Sequence, residues 1–324
     1  DFKQISFALS LGGLGAEEVY ALTYKIGREN PLIYLATYMY PASLFLFLFA
    51  TKNKTFKKWV MLHAVLRSVA LMLIIGSRMA YLPLLVCLLI YYTSVLKNKV
   101  SIKKVILIVA CLGILYSTVS ATRNNADKFD FQTISSYLTE NNIAVDILQE
   151  MGSTQVDLIL LYNNSPDHLP YAYGKSFLGS FLSLIPGGSS FIGDMENYID
   201  LGAILNSYFH KGSSLGGSYI GELYYNFGYV ILLFAPLIGC IFMSIENSIT
   251  NRNKSSIMKQ AMVFYLLYTS FIYVRGNVHD LLFGVKIIVY ILILNFIFKV
   301  LFSKKKGRVP IHSGLSRLPR SVIK

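Results

Sequence analysis

Charge is what this sequence has least of. Only 15% of its 324 residues are charged, against 54% hydrophobic, and mean hydropathy is +0.51. That balance excludes a soluble domain of this size and points to a chain solvated largely by lipid. Acidic residues are the scarcer sign, 17 Asp and Glu against 30 Lys and Arg, for a formal charge of +13. In a soluble protein this excess would suggest nucleic acid. Here the cations fall in short clusters between apolar runs, as in cytoplasmic loops, so nucleic acid is not an expected partner. Cysteine is also rare. Cys87, Cys111 and Cys240 each lie in an apolar run without CxxC or CxxH spacing, which argues against a disulfide framework or a zinc site and for small buried hydrophobes. The long polar segment has no DxD or HxxH spacing, and neither a cleavable signal pattern nor an internal repeat is visible. The first residue is Asp1 rather than Met, so whether further spans precede it stays open.

What is present is a series of apolar runs. Residues 31–50, 59–75, 79–95, 105–121, 218–246, 262–274 (starting near Ser256) and 281–302 each read as a membrane span, seven in all. The fifth carries glycines at its start, Gly216, Gly217 and Gly221, which predicts a broken or tilted entry. Basic clusters at 51–58, 97–104, 247–259 and 304–308 separate them. All four fall on one side if the chain starts outside, and that side is cytoplasmic. The organisation expected is therefore an N-terminal membrane region over 1–121, an extracytoplasmic segment over 122–215, a C-terminal membrane region over 216–303 and a basic cytoplasmic tail over 304–324 that hugs lipid or is disordered. Within 122–215 no run is long enough to span. Apolar spacing predicts a helix over 131–151 and a short one over 155–162, so the segment reads as a folded cap.

Three arginines lie at the outer ends of spans: Arg78, Arg123 and Arg275. Cations are normally scarce in short outer loops. A phosphate or diphosphate at the outer interface fits them, because guanidinium pairs two phosphate oxygens at once; snorkelling to lipid phosphates or pairing with cap carboxylates is the plainer alternative. His210 stands just ahead of the outer end of the fifth span, and Glu222 about one turn inside it. Either suits a base that takes a proton from a sugar hydroxyl, with His168 and His279 as further candidates. At its depth Glu222 needs an arginine or a polar cavity beside it. His63 and Arg67 share a helical face nearer the cytoplasmic end, where they line a polar cavity or snorkel, and no role in outer chemistry is assigned to them.

Several stretches then match one family in order. Ile74-Ile75-Gly76-Ser77-Arg78-Met79-Ala80 resembles the GSRGALL element of bacterial Wzy-type O-antigen and capsule repeat-unit polymerases, with Met79 in place of glycine. Tyr173-Gly174-Lys175-Ser176-Phe177-Leu178 followed by Leu184-Ile185-Pro186 is similar to that family's next segment, with Gly187 where arginine is common. The run from Gly217 to Tyr229, with Glu222-Leu223-Tyr224 at its centre, resembles the entry to a late span, and Arg275-Gly276 the turn before the last helix. Related O-antigen ligases carry a histidine close to where Gly217 and Ser218 stand, a departure that bears on His210 as base.

The resemblance implies an all-α polytopic protein of the bacterial cytoplasmic membrane, a GT-C-like bundle with the outer segment folded as a cap. It implies a glycosyltransferase without cofactor or metal, which transfers a glycan from undecaprenyl diphosphate to a sugar hydroxyl on another undecaprenyl-diphosphate-linked oligosaccharide, building O-antigen, capsule or exopolysaccharide. Arg78, Arg123 and Arg275 would hold the diphosphate, His210 or Glu222 would act as base, and Tyr173, Lys175, Tyr224 and Tyr225 would position sugars. The tyrosines read equally as interfacial belt or packing. A chain-length regulator and a flippase are the implied protein partners. A lipid-linked oligosaccharide flippase and an O-antigen ligase are the alternative readings; the flippase would need a charged path through the bilayer and paired halves.

Overall fold

The computed structural model describes residues 31–75, 81–98, 143–185, 199–209, 217–251 and 255–302, with isolated positions between 101 and 113. The regular structure among the described residues is helical, and they contain no strand. Ten α-helices are described among them: α1 (Pro31–Ala50), α2 (Lys54–Ile75), α3 (Tyr81–Ile90, continued by a π turn over Tyr91–Val95), α4 (Ile143–Asn164), α5 (Lys175–Leu182), α6 (Leu201–Phe209), α7 (Tyr219–Phe227), α8 (Ile231–Thr250), α9 (Ile257–Val274) and α10 (Val278–Phe302).

The helix starts follow from short polar side chains at the right places. Asn53 Oδ1 accepts the backbone N–H groups of Thr55 and Phe56 and opens α2. Ser218 Oγ accepts from Gly221 N at the start of α7, and Ser256 Oγ from Lys259 N at the start of α9. Each satisfies a donor that the first turn leaves without an intrahelical partner. At α10, Asp280 accepts the N–H of Asn277, an acid in the third helical position reaching back to the cap residue.

Helix α9 is the hub, packing on α1, α3 and α8. An aromatic knot holds the first two contacts. Phe264 of α9 lies 5.6 Å from Phe45, 5.4 Å from Phe49 and 5.7 Å from Tyr91, ring centre to ring centre. The Tyr91 hydroxyl, fully buried, donates to the Leu48 carbonyl over 2.9 Å, so the knot leaves no polar atom of that ring unpaired. On α10, Gly284 gives the close approach to α9: a Cβ there would sit 2.2 Å from Thr269 Cγ2. From Val289 onward α10 forms a separate unit, with Phe296 and Leu301 exposed.

Among the described residues, three helical stretches are long and apolar enough to cross a membrane, Tyr219–Thr250, Ile257–Val274 and Val278–Phe298; Tyr38–Ala50 and Tyr81–Val95 are shorter apolar helices. The span expected over 105–121 lies outside the described residues apart from Leu107, Cys111 and Gly113, which are helical. Two sequence expectations change in detail. Residues 155–162 are not a separate helix but the last part of α4, which runs through Gly152. The fifth span breaks at Gly228–Val230, a 3-10 turn, and Gly221 lies within α7; Gly217 precedes that helix and Gly216 lies outside the described residues. Gly228 has φ 55°, a conformation side chains rarely adopt, and a Cβ there would stand 3.0 Å from the Tyr171 ring. Of the cysteines only Cys87 is buried; Cys111 and Cys240 are exposed on their helices. Arg67 lies over the Tyr40 ring at 3.7 Å, a cation–π contact that shelters its charge.

Gly284→Val is expected to force α9 and α10 apart and lower the thermal midpoint in detergent, at an overpacking cost of about 1–3 kcal/mol. Gly239→Val, where nothing lies within 4 Å of the new Cβ, should leave the midpoint unchanged.

Candidate active site

The first turn of α7 brings together groups from four elements. Glu222 is fully buried, yet both of its carboxylate oxygens are hydrogen-bonded. Oε1 accepts from Ser176 Oγ of α5 at 2.9 Å, and Oε2 accepts from the backbone N–H of Val278, the first residue of α10, at 2.6 Å. A negative group placed on the N-terminal N–H of a 25-residue helix is favourable. Asn226, one turn on, donates to Ser176 Oγ at 2.8 Å and to the Glu222 carbonyl at 2.7 Å. Asp200, ahead of α6, and Asp280 in the first turn of α10 also act on Glu222 electrostatically. Glu222 therefore ties α5, α7 and α10 into one polar seam.

Asp157 of α4 is a carboxylate of the opposite kind. It too is fully buried, and neither oxygen has a hydrogen-bond partner. Its Cβ lies 3.6 Å from where a Cβ on Gly221 would be, so the glycine preceding Glu222 admits it. Burial pushes the Asp157 carboxyl up to about 7, and the charge of Arg275 acts against that rise. Arg275 closes α9 and is partly exposed; its backbone N–H bonds the Ile272 carbonyl.

Around this seam the adjoining ends of α9 and α10 are polar. His279 Nδ1 lies 3.3 Å from Ser183 Oγ, and Lys286, two turns into α10, reaches the Ser183 carbonyl at 3.4 Å. Beside it stands a tyrosine cluster. Tyr224 has ring centres at 6.0 Å from Tyr171, 5.8 Å from Tyr229 and 6.3 Å from Tyr162. Tyr171 in turn meets Tyr173 at 6.2 Å. A cavity of about 460 Å³ lies at the opposite end of α8, beside Cys240, Asn247 and Lys259, away from these groups.

Of the residues singled out in the sequence, Glu222 and Arg275 fall at this seam. Arg78, Arg123 and His210 lie outside the described residues. Tyr173 is 77% exposed and Lys175 is exposed, whereas Tyr224 and Tyr225 are buried in a core with Leu161, Leu169, Ala172, Leu201 and Leu205. Sequence reasoning passed over Asp157, Ser176, Asn226 and Lys286. The signal for Asp157 was there: it precedes Leu161 by four residues, which puts a carboxylate on the apolar stripe of α4.

A family model described as O-antigen polysaccharide polymerase Wzy matches residues 20–306, most of the chain. The chain belongs to the Wzy family. No curated protein and no solved structure matched it. Wzy proteins are glycosyltransferase-like polymerases that act on lipid-linked oligosaccharide repeat units in a membrane, and the apolar helices of this chain make it a membrane protein of that kind. In this Wzy chain the seam spans Ser176, Glu222 and the Arg275 turn, three of the stretches whose resemblance marked the sequence.

Glu222→Gln turns one accepting oxygen into a donor facing either the Val278 N–H or the Ser176 hydroxyl. It is expected to lower stability by about 1–3 kcal/mol and to speed amide exchange at the start of α10, read by thermal unfolding and hydrogen exchange in detergent. Ser176→Ala strips Oε1 of its donor and should also cost about 1–3 kcal/mol.

Proposed function

We propose that this Wzy polymerase works on the outer face of the bacterial cytoplasmic membrane, joining undecaprenyl-diphosphate-linked repeat units into O-antigen, capsule or exopolysaccharide. The observation that carries the reading is Arg275, a partly exposed cation in the turn between two apolar helices, three residues ahead of the Val278 amide that Glu222 holds. An outer-end cation of this sort suits a lipid diphosphate, whose oxygens a guanidinium can pair in a fork.

In the full reading the chain crosses seven times, a GT-C-like bundle with residues 122–215 as an extracytoplasmic cap, and it receives its units from a flippase and its length limits from a regulator. Arg78 and Arg123 join Arg275 at the diphosphate and meet the negative charge that grows on the leaving group. The acceptor hydroxyl attacks the sugar carbon as the diphosphate departs, and a base at the outer rim takes its proton. Glu222, with both oxygens engaged, serves as the brace of this site, which leaves His210 for the base. Tyr173 and Lys175 offer exposed surface for sugars, while Tyr224 and Tyr225 act from beneath through Tyr171 and Ala172, whose N–H bonds the Tyr225 carbonyl at 2.9 Å.

Deleting the protein in its host should abolish the long-chain glycan ladder on gels while single-repeat product remains. Loss of every surface repeat would favour a flippase or a ligase instead. Arg78→Ala, Arg123→Ala and Arg275→Ala should each shorten the ladder with membrane insertion intact. His210→Ala should do so without lowering thermal stability. A Glu222→Gln chain of unchanged stability that makes no ladder would move the base role to Glu222.

A further inference from the structure

The diphosphate chemistry gives no task to Tyr162 and Tyr229, yet both are open faces of one aromatic surface. Tyr229 is 65% exposed, Tyr162 56% and Tyr173 77%, and they come from three separate places: the 3-10 turn, the end of α4 and the loop before α5. Buried Tyr224 and half-buried Tyr171 lie behind them. Neighbouring rings are nearly perpendicular, at 89° between Tyr162 and Tyr229, 89° between Tyr224 and Tyr229 and 82° between Tyr171 and Tyr173. That arrangement fixes the rings without stacking one face on another. The backbone is bent to hold them. Tyr173 stands at φ 48°, Gly174 at 83° and Gly228 at 55°, three of the four positive φ values among the described residues. A tyrosine in that region is strained, and burial does not offset the strain, since the ring stands in the open. A tyrosine belt at a bilayer surface needs single rings at one depth. It requires neither mutual contact across separate elements nor a left-handed tyrosine.

Resting on the polymerase reading, we infer that Tyr162, Tyr173 and Tyr229 form a sugar-stacking subsite for glycan units remote from the bond being made. A pyranose ring presents a face of slightly positive C–H groups to the negative face of an aromatic ring, and its rim of hydroxyls meets the tyrosine hydroxyls. Tyrosine supplies such contact area with few rotors to freeze. The position fits. Tyr229 follows Glu222 by seven residues, about 10 Å along α7 and its joint, so a chain whose reacting end lies at the Arg275 turn reaches these rings with a later sugar. Stacking accepts any pyranose face, which lets successive units of a growing chain take the same place.

The test uses the purified full chain in nanodiscs and, as probe, lipid-free oligosaccharide of a few repeat units released by mild acid from the host's own O-antigen or capsule. Saturation-transfer NMR with irradiation of the aromatic protons reads contact, and titration reads affinity. With the wild-type chain the sugar C–H protons should take up the transferred saturation. Tyr229→Ala and Tyr162→Ala should each weaken binding about tenfold. Tyr229→Phe and Tyr162→Phe should bind within about twofold of wild type, since the ring face remains. Both tyrosines are exposed, so the alanine chains are expected to keep the wild-type thermal midpoint; where one does not, Tyr229→Leu or Tyr162→Leu, which keeps bulk without a ring, replaces it. Absence of saturation transfer to either glycan overturns the inference. So does an affinity that alanine or leucine leaves unchanged, the result expected of an interfacial belt. The probe carries no lipid diphosphate and nothing is polymerised, so the two readings fail separately: a normal ladder in the deleted host sinks the polymerase reading while glycan binding stands, and a lost ladder without glycan binding sinks this subsite alone.

Discussion

Everything around the Arg275 turn depends on one carboxylate with two donors. Glu222 joins a hydroxyl of α5 to the first amide of α10 across sequence separations of 46 and 56 residues, contacts that no local propensity could produce. A buried carboxylate is tolerated only when its oxygens are occupied. Here the occupation itself sets where α10 begins and so where the Arg275 turn is held. Asn226 completes the arrangement by tying the Ser176 hydroxyl back to α7, so that the hydroxyl both donates and accepts.

The two buried carboxylates of this region form a contrast. Glu222 is matched group for group and stiffens the fold, while Asp157 on α4, beside Gly221, has no hydrogen-bond partner for either oxygen. A fold under selection for stability alone would place leucine or asparagine at such a position.

The helical class and the outlines of the membrane stretches were legible in the sequence because they are written in long runs: 31–50, 257–274 and the last helix emerge within a few residues of where apolar composition places them. The start of α9 was legible too, placed near Ser256, whose hydroxyl caps the helix. Glu222 and Arg275 could be picked out as polar groups at apolar edges. Their partners could not. Ser176 is an ordinary serine in an eight-residue helix and Val278 contributes only its backbone, so nothing in their identity announces a contact made across some 50 residues. The helix break was misplaced because Gly217 and Gly221 looked as permissive as Gly228, and only the approach of Tyr171 singles out the last. Tyr224 and Tyr225 drew attention as aromatics near an interface, where burial against α4 and α6 is invisible without tertiary structure.

The break at Gly228–Val230 divides one apolar run into two rods of different character. Helix α7 has six buried residues, and α8 has none. The 20 residues of α8 reach about 30 Å, which matches the hydrocarbon thickness of a bilayer without help. A crossing made by α8 alone would place α7 beyond the hydrocarbon layer, where water has access. Gly228 would then be the point at which a tilt of α8 is taken up, on the far side of α7 from the bonds that Glu222 makes.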